Sequence, residues 1–333
     1  MADAVFNSSA TKTMFVGIDL GGTSVKVGLV SLEGKMLFRA QREISDRAPD
    51  AVIALCAALA KECVADHGSN WTHVTSVGVG CPGQISSGIV HAAANFPNWK
   101  DVTLQESLKT ILGVPTILVN DADAAVAAEH WVGAAASAKN FVMLTLGTGV
   151  GFGIVNNDEI VAGGTGCIEG GHIIMVPNGR LCGCTQRGCL EQYSSASALI
   201  GQAKLRASSS EVATRLSSVP TDSITAKMVF DLADDGDDVC NELVAEVADY
   251  LGLACVNFCR TLDPEMIVFS GGLAEAGEPF MQRIREAYTK YTWTRLPNPV
   301  VIEKASVGYD SGIIGAAAFA FRMSSKRFIS SHF

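Results

Sequence analysis

The sequence has no excess of positive charge and no long hydrophobic run. It carries 25 Lys and Arg against 34 Asp and Glu, a formal net charge of −9. A general nucleic-acid binder needs clustered basic side chains to neutralise phosphates, so we expect no nucleic-acid partner. Apolar runs occur at 51–60 and 312–321, but charged residues end both well short of the ~20 residues that span a membrane. We therefore expect no membrane partner.

The sequence also lacks the composition of a disordered chain, which has low hydrophobicity and high net charge. The chain is 48% hydrophobic and 18% charged, and its 333 residues are enough for two domains at about 150 residues each. Residues 1–13 show no basic segment followed by an apolar one, so we expect no export signal and a cytoplasmic protein. The terminal Ser-His-Phe resembles the peroxisomal address Ser-Lys-Leu only loosely.

Strand and helix patterns alternate along the chain and predict an α/β fold. Predicted strands surround glycine turns at 15–30 and 141–155, and others lie at 74–80, 116–119 and 266–272; helices are predicted at 49–66 and 312–323. The segments beginning at Asp19 and Thr145 match at an offset of 145 − 19 = 126 residues. One glycine hairpin is common in any fold, but two such units predict two similar lobes.

The two glycine turns are candidate phosphate sites. A turn without Cβ atoms lets backbone N–H groups approach an anion, and Thr or Ser adds hydroxyl donors. Neither turn matches a Walker loop or a Rossmann fingerprint. Asp19, beside the first turn, is suited to holding Mg²⁺ through water, although a surface-turn aspartate explains it equally well.

A cluster of metal-ligand residues lies at 171–193. His172, Cys182, Cys184 and Cys189 supply one imidazole and three thiolates, a closed tetrahedral zinc set that would be structural. Buried cysteines without a metal are the alternative. Glu169 and Glu191 flank the cluster and could accept hydrogen bonds from a polyhydroxylated ligand, although glutamates in exposed loops are common.

At Asn120-Asp121 an apolar strand ends and a helix begins. Ligands of α/β sheets sit at the carboxyl ends of strands, so this pair could be a ligand-orienting amide and a general base. Helix capping is the competing explanation, because Asn and Asp are preferred N-caps, and Asp123 could share that duty.

Taken together, these motifs resemble the ROK family of sugar kinases, which share an ATPase fold with actin, Hsp70 and hexokinase. The resemblance covers residues 14 to about 323 and rests on DLGGTSVK (19–26), CPGQI (81–85), NFPNW (95–99), NDADAA (120–125), LGTGVG (146–151), EGGH (169–172) and SGGLAEAG (270–277). It implies an α/β, two-lobed actin-like ATPase fold with ribonuclease H-like lobes and an ATP and sugar cleft between them. Residues 14–120 plus 309–323 would form the smaller lobe and 121–308 the larger. The implied activity is ATP-dependent phosphorylation of a hexose at the 6-hydroxyl.

The resemblance also implies roles for individual residues. Asp121 would be the general base, and His172 would offer one ring nitrogen to zinc and the other to the sugar. The other implied sugar contacts are Gly83, Gln84, Asn95, Asn120, Glu169 and Glu191. The implied nucleotide contacts are Asp19 toward Mg²⁺, Gly21, Gly22, Thr23, Ser24, Lys26, Gly147, Thr148 and Gly149 at the phosphates, and Gly271 and Gly272 near the adenosine.

Two residues depart from the family pattern. Thr185 stands where a glycine usually follows the second cysteine, and a β-branched residue resists positive φ. Asp123 replaces a frequent asparagine, and its charge could raise the pKa of the base.

Several alternatives remain open. NFPNW at 95–99 resembles the glucokinase branch and favours glucose, but N-acetylmannosamine, N-acetylglucosamine or fructose could be the substrate, and polyphosphate could replace ATP. Sugar-sensing repressors of the family place a helix-turn-helix before the first phosphate loop, for which residues 1–13 are expected to be too short. A chaperone-like or filament-forming ATPase would have no use for Glu169, Glu191 and the zinc loop. The family resemblance implies a homodimer.

Overall fold

The structure, a computed structural model, describes residues 13–161, 163, 168–209, 213–294 and 300–324. They form two compact units: the first ends at Val132 and resumes at Tyr309, and the second runs from Gly133 to Gly308. Residues 1–12, where an export signal would lie, and the terminal Ser-His-Phe lie outside the described residues. No helix in the described ranges is long and apolar enough to cross a membrane.

The strands and helices occur in the order that the sequence predicts. The strands are β1 (Met14–Leu20), β2 (Ser24–Ser31), β3 (Met36–Glu43), β4 (Val74–Cys81), β5 (Gln84–Ser86), β6 (Ile89–Ala92), β7 (Thr116–Asn120), β8 (Phe141–Leu146), β9 (Val150–Asn156), β10 (Glu159–Ile160), β11 (Met266–Ser270) and β12 (Val301–Lys304). The helices are α1 (Pro49–Asp66), α2 (Leu104–Leu112), α3 (Asp121–Val132), α4 (Glu191–Ser194), α5 (Ala196–Ala207), α6 (Ala226–Asp234), α7 (Asp238–Leu262), α8 (Glu278–Tyr291) and α9 (Ser311–Ser324).

The first unit is built on a five-stranded sheet in the order β3-β2-β1-β4-β7. Strands β1 and β2 form an antiparallel hairpin, whereas β1, β4 and β7 run parallel. Strands β1 and β4 are buried almost throughout, as their near-continuous apolar sequences predict for strands covered on both faces. Because three strands are parallel, their carboxyl ends share one edge of the sheet.

Helix α9 lies directly on this sheet because glycines stand beneath it. A Cβ at Gly17 of β1 or Gly78 of β4 would collide with backbone carbonyl groups of α9. Gly315 of α9 in turn leaves room for the backbone of α3 at Ala124. Helix α3 therefore packs within the first unit, and the chain divides after Val132 rather than at the boundary predicted from the sequence at residue 120.

The second unit repeats the arrangement of the first. Its sheet has the order β10-β9-β8-β11-β12, with β8 and β9 as the antiparallel hairpin and β8, β11 and β12 parallel. The predicted offset of 126 residues places β1 on β8 and β2 on β9. Both sheets thus carry a glycine turn between the first two strands, and the prediction of two similar lobes is confirmed.

The long helix α7 organises the core of the second unit. It begins after Asp237, whose carboxylate accepts the backbone N–H of Cys240 at 3.0 Å. Gly252, near its middle, allows the backbone of α8 to approach closely. The cysteine-rich loop before α4 is held by isolated bridges between Ile174 and Cys189 and between Leu181 and Arg187.

Candidate active site

Polar segments follow the carboxyl ends of the three parallel strands in the first unit. Strands β1, β4 and β7 end at Leu20, Cys81 and Asn120. The first glycine turn, the Cys81–Gly83 turn and the start of α3 therefore share one edge of the sheet. Ligands of α/β proteins bind at such edges.

The first glycine turn is closed by a hydrogen bond from the N–H of Gly21 to the carbonyl of Ser24 at 3.0 Å. Asp19 and Lys26 are register partners across the hairpin and form an ion pair at 3.4 Å. The Asp19 carboxylate also lies against Gly312 in the first turn of α9, where the helix dipole favours negative charge. One partly exposed carboxylate beside a glycine turn fits a magnesium ion that keeps most of its water.

Asn95 lies against this same turn. A Cβ at Gly22 would stand 2.7 Å from the Asn95 side-chain Cγ, and the Asn95 carbonyl accepts a hydrogen bond from Arg47 at 3.4 Å. The structure therefore brings a predicted sugar contact to a predicted phosphate turn.

Asn120 connects the ends of two strands. Its Nδ2 donates to the carbonyl of Gly83 at 3.2 Å, and its Oδ1 accepts the N–H of Ala122 at 2.8 Å. Gly83 has φ 115°, and a Cβ there would collide with the carbonyl of Ala92. Gln84 follows as the exposed first residue of β5. Three of the predicted sugar contacts thus lie together.

Asp121 is accessible to solvent yet crowded by protein. This desolvation, followed by the charge of Asp19, raises the pKa of the Asp121 carboxyl above its ordinary value. Its Oδ1 accepts the N–H of Ala122 at 2.9 Å, but Asn120 already accepts that N–H. Capping therefore does not account for Asp121, and the structure leaves it as an exposed carboxylate whose basicity is increased.

Asp123, two residues further into α3, is half-buried. Burial and the charge of Asp121 raise the pKa of Asp123 to about 6. When two carboxyl groups repel each other, the one that ionises second carries the larger shift. The sequence predicted that the charge of Asp123 would raise the pKa of Asp121. The repulsion between the two carboxyl groups is mutual, and Asp123, the more buried of the two, carries the larger shift. The charge of Asp19 also raises the pKa of Asp121.

The second glycine turn lies between β8 and β9. The N–H of Gly147 donates to the carbonyl of Gly149 at 3.0 Å. Gly271, with φ 87°, lies against the end of β8, and the N–H of Leu273 donates to the carbonyl of Leu146 at 3.2 Å. The second unit therefore brings together the residues predicted at the phosphates and those predicted near the adenosine, including Gly272.

Glu191 connects the second glycine turn to the cysteine cluster. Its Oε2 accepts the N–H of Val150 at 3.0 Å, and its Oε1 lies 3.6 Å from the Cys182 sulfur. A Cβ at Gly149 would collide with the same carboxylate. Glu191 was predicted to be a sugar contact, and no pattern in the sequence indicates that it also supports the turn.

The predicted Glu-Gly-Gly-His segment lies along β9. The N–H of His172 donates to the carbonyl of Glu169 at 2.9 Å, and the Glu169 side chain is exposed. A Cβ at Gly170 would collide with the ring of Phe152, and one at Gly171 with the carbonyl of Val150. The two glycines therefore let this turn rest on the strand.

The four predicted zinc ligands are gathered in the second unit. The ligand atoms of His172, Cys182, Cys184 and Cys189 all lie within 4.8 Å of one another. His172 Nδ1 is 3.7 Å from Cys182 Sγ, and Cys184 Sγ is 3.6 Å from Cys189 Sγ. Donors at the corners of a zinc tetrahedron are about 3.5–3.8 Å apart, and these two distances match that spacing.

The loop around the cysteines has two further features. A hydrogen bond from Gln186 lowers the pKa of the Cys184 thiol to about 7, which favours the thiolate that a metal requires. Thr185 takes φ 75°, the conformation that glycine adopts more easily, so the departure from the family pattern places a β-branched residue in a strained turn.

A cavity of about 340 Å³ adjoins the second glycine turn. Its walls include Thr148, Glu191, Ser195 and Arg180. Arg180 donates to Glu246 at 2.8 Å and lies over the ring of Tyr193. Sequence reasoning missed Arg180 and Ser195, because neither residue type nor spacing indicates a contact with helix α7 or with the turn.

Known proteins resemble this chain over nearly its whole length. A family model described as the ROK family matches residues 15–323. A glucokinase of Thermotoga maritima is 34% identical over 316 residues, which cover 92% of this chain and 97% of the relative. The solved ROK hexokinase of Thermus thermophilus is 29% identical with a TM-score of 0.80, covering 93% of this chain and 98% of that one. A ROK glucokinase of Streptomyces griseus, solved with glucose and AMPPNP, is 30% identical with a TM-score of 0.74, covering 92% and 99%.

Proposed function

This chain belongs to the ROK family, and we propose that it is a hexose kinase that transfers the terminal phosphoryl group of ATP to the 6-hydroxyl of glucose. Similarity to glucokinases over almost the whole chain supports both the reaction and the sugar. The observation that carries the proposal is Asp121, an accessible carboxylate with a raised pKa at the sheet edge that bears the first glycine turn.

We assign the general base to Asp121. As the 6-hydroxyl oxygen forms its bond to the terminal phosphorus, the bond from that phosphorus to the bridging oxygen of ADP breaks. Asp121 takes the proton of the hydroxyl and ADP leaves. Phosphoryl transfer passes through a loose transition state, so positioning and charge stabilisation matter more than a strong base. A carboxylate with a moderately raised pKa suits that task.

The two glycine turns would bind the nucleotide. Their backbone N–H groups, the hydroxyls of Thr23, Ser24 and Thr148 and the ammonium of Lys26 are donors for phosphate oxygens. Asp19 would hold Mg²⁺ through water, and the ion would supply charge neutralisation on the transferring phosphoryl group. Gly271 and Gly272 would leave room for the adenosine.

Candidate sugar contacts are present in each unit. In the first unit, Asn120 is fixed by Gly83 and places its amide next to Asp121. In the second unit, Glu169 and Glu191 offer carboxylate oxygens to hydroxyl groups, and His172 presents Nδ1 to the cysteines. That orientation leaves Nε2 as the ring nitrogen that the sugar would contact.

We further propose that the cysteine cluster holds one structural zinc ion. Three thiolates and one imidazole complete a tetrahedron, so no position remains for a substrate or water. Its effect would be to fix Glu191, which lies 3.6 Å from Cys182 Sγ, and with it the second glycine turn.

A hexose panel tests the proposed function. ADP release is measured with glucose, mannose, fructose, N-acetylglucosamine and N-acetylmannosamine, each with ATP and with polyphosphate as donor. The proposal expects the highest kcat/KM for glucose with ATP. A higher kcat/KM for an N-acetylhexosamine would reassign the sugar, and binding of sugars without any ADP release would point to a sugar sensor.

The proposed homodimer and the cytoplasmic location remain predictions from the sequence. Light scattering of the purified chain tests the first of them. A mass near twice 34.9 kDa is expected.

A further inference from the structure

Tyr309 stands at the point where the chain re-enters the first unit, just before helix α9. Its ring lies under the ammonium group of Lys26, with Nζ 4.1 Å from the ring centroid. The Arg39 guanidinium lies 5.7 Å from the same centroid and also pairs with Asp310 at 3.1 Å. An aromatic ring attracts cations over its face, so Lys26 is held by Tyr309 as well as by Asp19.

The hydroxyl of Tyr309 reaches the first glycine turn by a second route. It donates to Gln41 Oε1 at 3.1 Å, and Gln41 Nε2 donates to Ser24 Oγ at 3.2 Å. Tyr309 thus contacts one side chain assigned to the nucleotide phosphates directly and another through Gln41. No motif quoted from the sequence includes Tyr309 or Gln41.

Fixing a lysine side chain in one conformation costs conformational entropy. Its four-carbon stem has several rotamers, and fixing it to bind an anion loses their entropy. Two contacts restrict the Lys26 side chain here, because it is only 22% exposed and touches both a carboxylate and an aromatic face. An ammonium held in this way binds phosphate without paying that entropy at the moment of binding.

We propose that Tyr309 is a positioning residue that holds Lys26 and, through Gln41, Ser24 in place for the phosphates of the nucleotide. The proposal rests on the assignment of Lys26 and Ser24 to nucleotide binding. It predicts that Tyr309 acts on affinity for ATP and leaves affinity for the sugar unchanged. A cation over an exposed aromatic ring contributes a factor of about two to five in affinity.

The test measures Kd for a non-hydrolysable ATP analogue by calorimetry, without sugar. Tyr309→Leu is expected to raise Kd about two- to fivefold, and Tyr309→Phe, which keeps the ring, less than Tyr309→Leu. Tyr291→Leu is the matched control, because Lys290 lies over the Tyr291 ring at 4.6 Å at the end of α8 and neither residue is assigned to nucleotide binding. It is expected to leave Kd unchanged. Circular dichroism spectra check that each variant is folded.

A double-mutant cycle separates positioning from a general structural effect. If Tyr309 acts through Lys26, Tyr309→Leu adds little to the loss of affinity in a Lys26→Met background. Equal effects in both backgrounds would overturn the route through Lys26, and a wild-type Kd in Tyr309→Leu would overturn the whole inference without affecting the proposed function. A wild-type chain that binds no nucleotide analogue would overturn the proposed function as well. KM values for ATP and for glucose give the second readout, and a rise confined to glucose would contradict the inference.

Discussion

Substitution of Asp121 by asparagine removes one charge and one proton acceptor with almost no change in shape. The start of helix α3 does not depend on this carboxylate, because Asn120 Oδ1 already accepts the N–H of Ala122. Loss of function in Asp121→Asn can therefore be attributed to chemistry and not to unfolding.

The pKa of Asp121 predicts the effect on stability. Because desolvation and the charge of Asp19 raise this pKa in the folded state, ionisation of Asp121 opposes folding. That loss of stability develops as the pH rises through the raised pKa. At neutral pH, Asp121→Asn is therefore expected to melt at the same temperature as the wild type or higher.

The expected effect on catalysis is large. A general base contributes about 10²–10⁴-fold to turnover, equivalent to ~3–5 kcal/mol of the barrier. Steady-state ADP release should show that drop in kcat, with the KM for glucose changed little, because Asn120 and the glutamates would still bind the sugar. The wild-type kcat/KM should decline at acid pH as Asp121 becomes protonated, above the pH of an ordinary aspartate, and this limb should be absent in Asp121→Asn. Near-wild-type turnover in a folded Asp121→Asn variant would refute the assignment.

Three other predictions follow from local geometry. Zinc analysis should find about one ion per chain, and Cys184→Ser should lose the ion and lower the melting temperature. The control Cys56→Ala, in the core of the first unit, should lower the melting temperature but keep the zinc. A metal-free wild type of full stability would exclude the site. Gly78→Ala should destabilise the fold by about 1–3 kcal/mol or more in urea unfolding, because its Cβ would collide with α9. Gly201→Ala, in a helix with open space around it, should be neutral or stabilising, and equal effects would contradict the close packing. An NMR titration of Asp123 should give a pKa of about 6 that falls in Asp121→Asn, since one repelling charge is lost; an unchanged value would show that the two carboxyl groups do not interact.

The repeat between the two units could be predicted because short stretches of sequence show the same pattern in both. Glycine turns flanked by apolar strands occur at Asp19 and Thr145, and both become the turn of a hairpin at the centre of a five-stranded sheet. Family motifs with fixed spacing then led to the ROK resemblance, which the family match confirms. The grouping of the four candidate zinc ligands could also be predicted, because all four lie within one short segment; that they hold zinc stays a prediction.

Contacts between distant segments could not be predicted from the sequence. Tyr309 meets Lys26 only because α9 returns to the first sheet, and no local pattern marks that contact. The packing of α3 on α9 depends on Gly315, and it shifts the division of the chain to Val132. Which of Asp121 and Asp123 carries the larger pKa shift depends on how deeply each carboxyl group is buried, which the sequence does not show.

The most direct test of the account is the identity of the product. The wild-type chain is incubated with ATP, Mg²⁺ and glucose labelled with ¹³C at carbon 6, and phosphorus and carbon NMR spectra locate the new ester. The account predicts ADP and a phosphate ester at carbon 6, formed at a rate that falls at least a hundredfold in Asp121→Asn (about 10²–10⁴-fold for a general base). An ester at any other carbon, or no hexose phosphate from a chain that binds ATP, would contradict it.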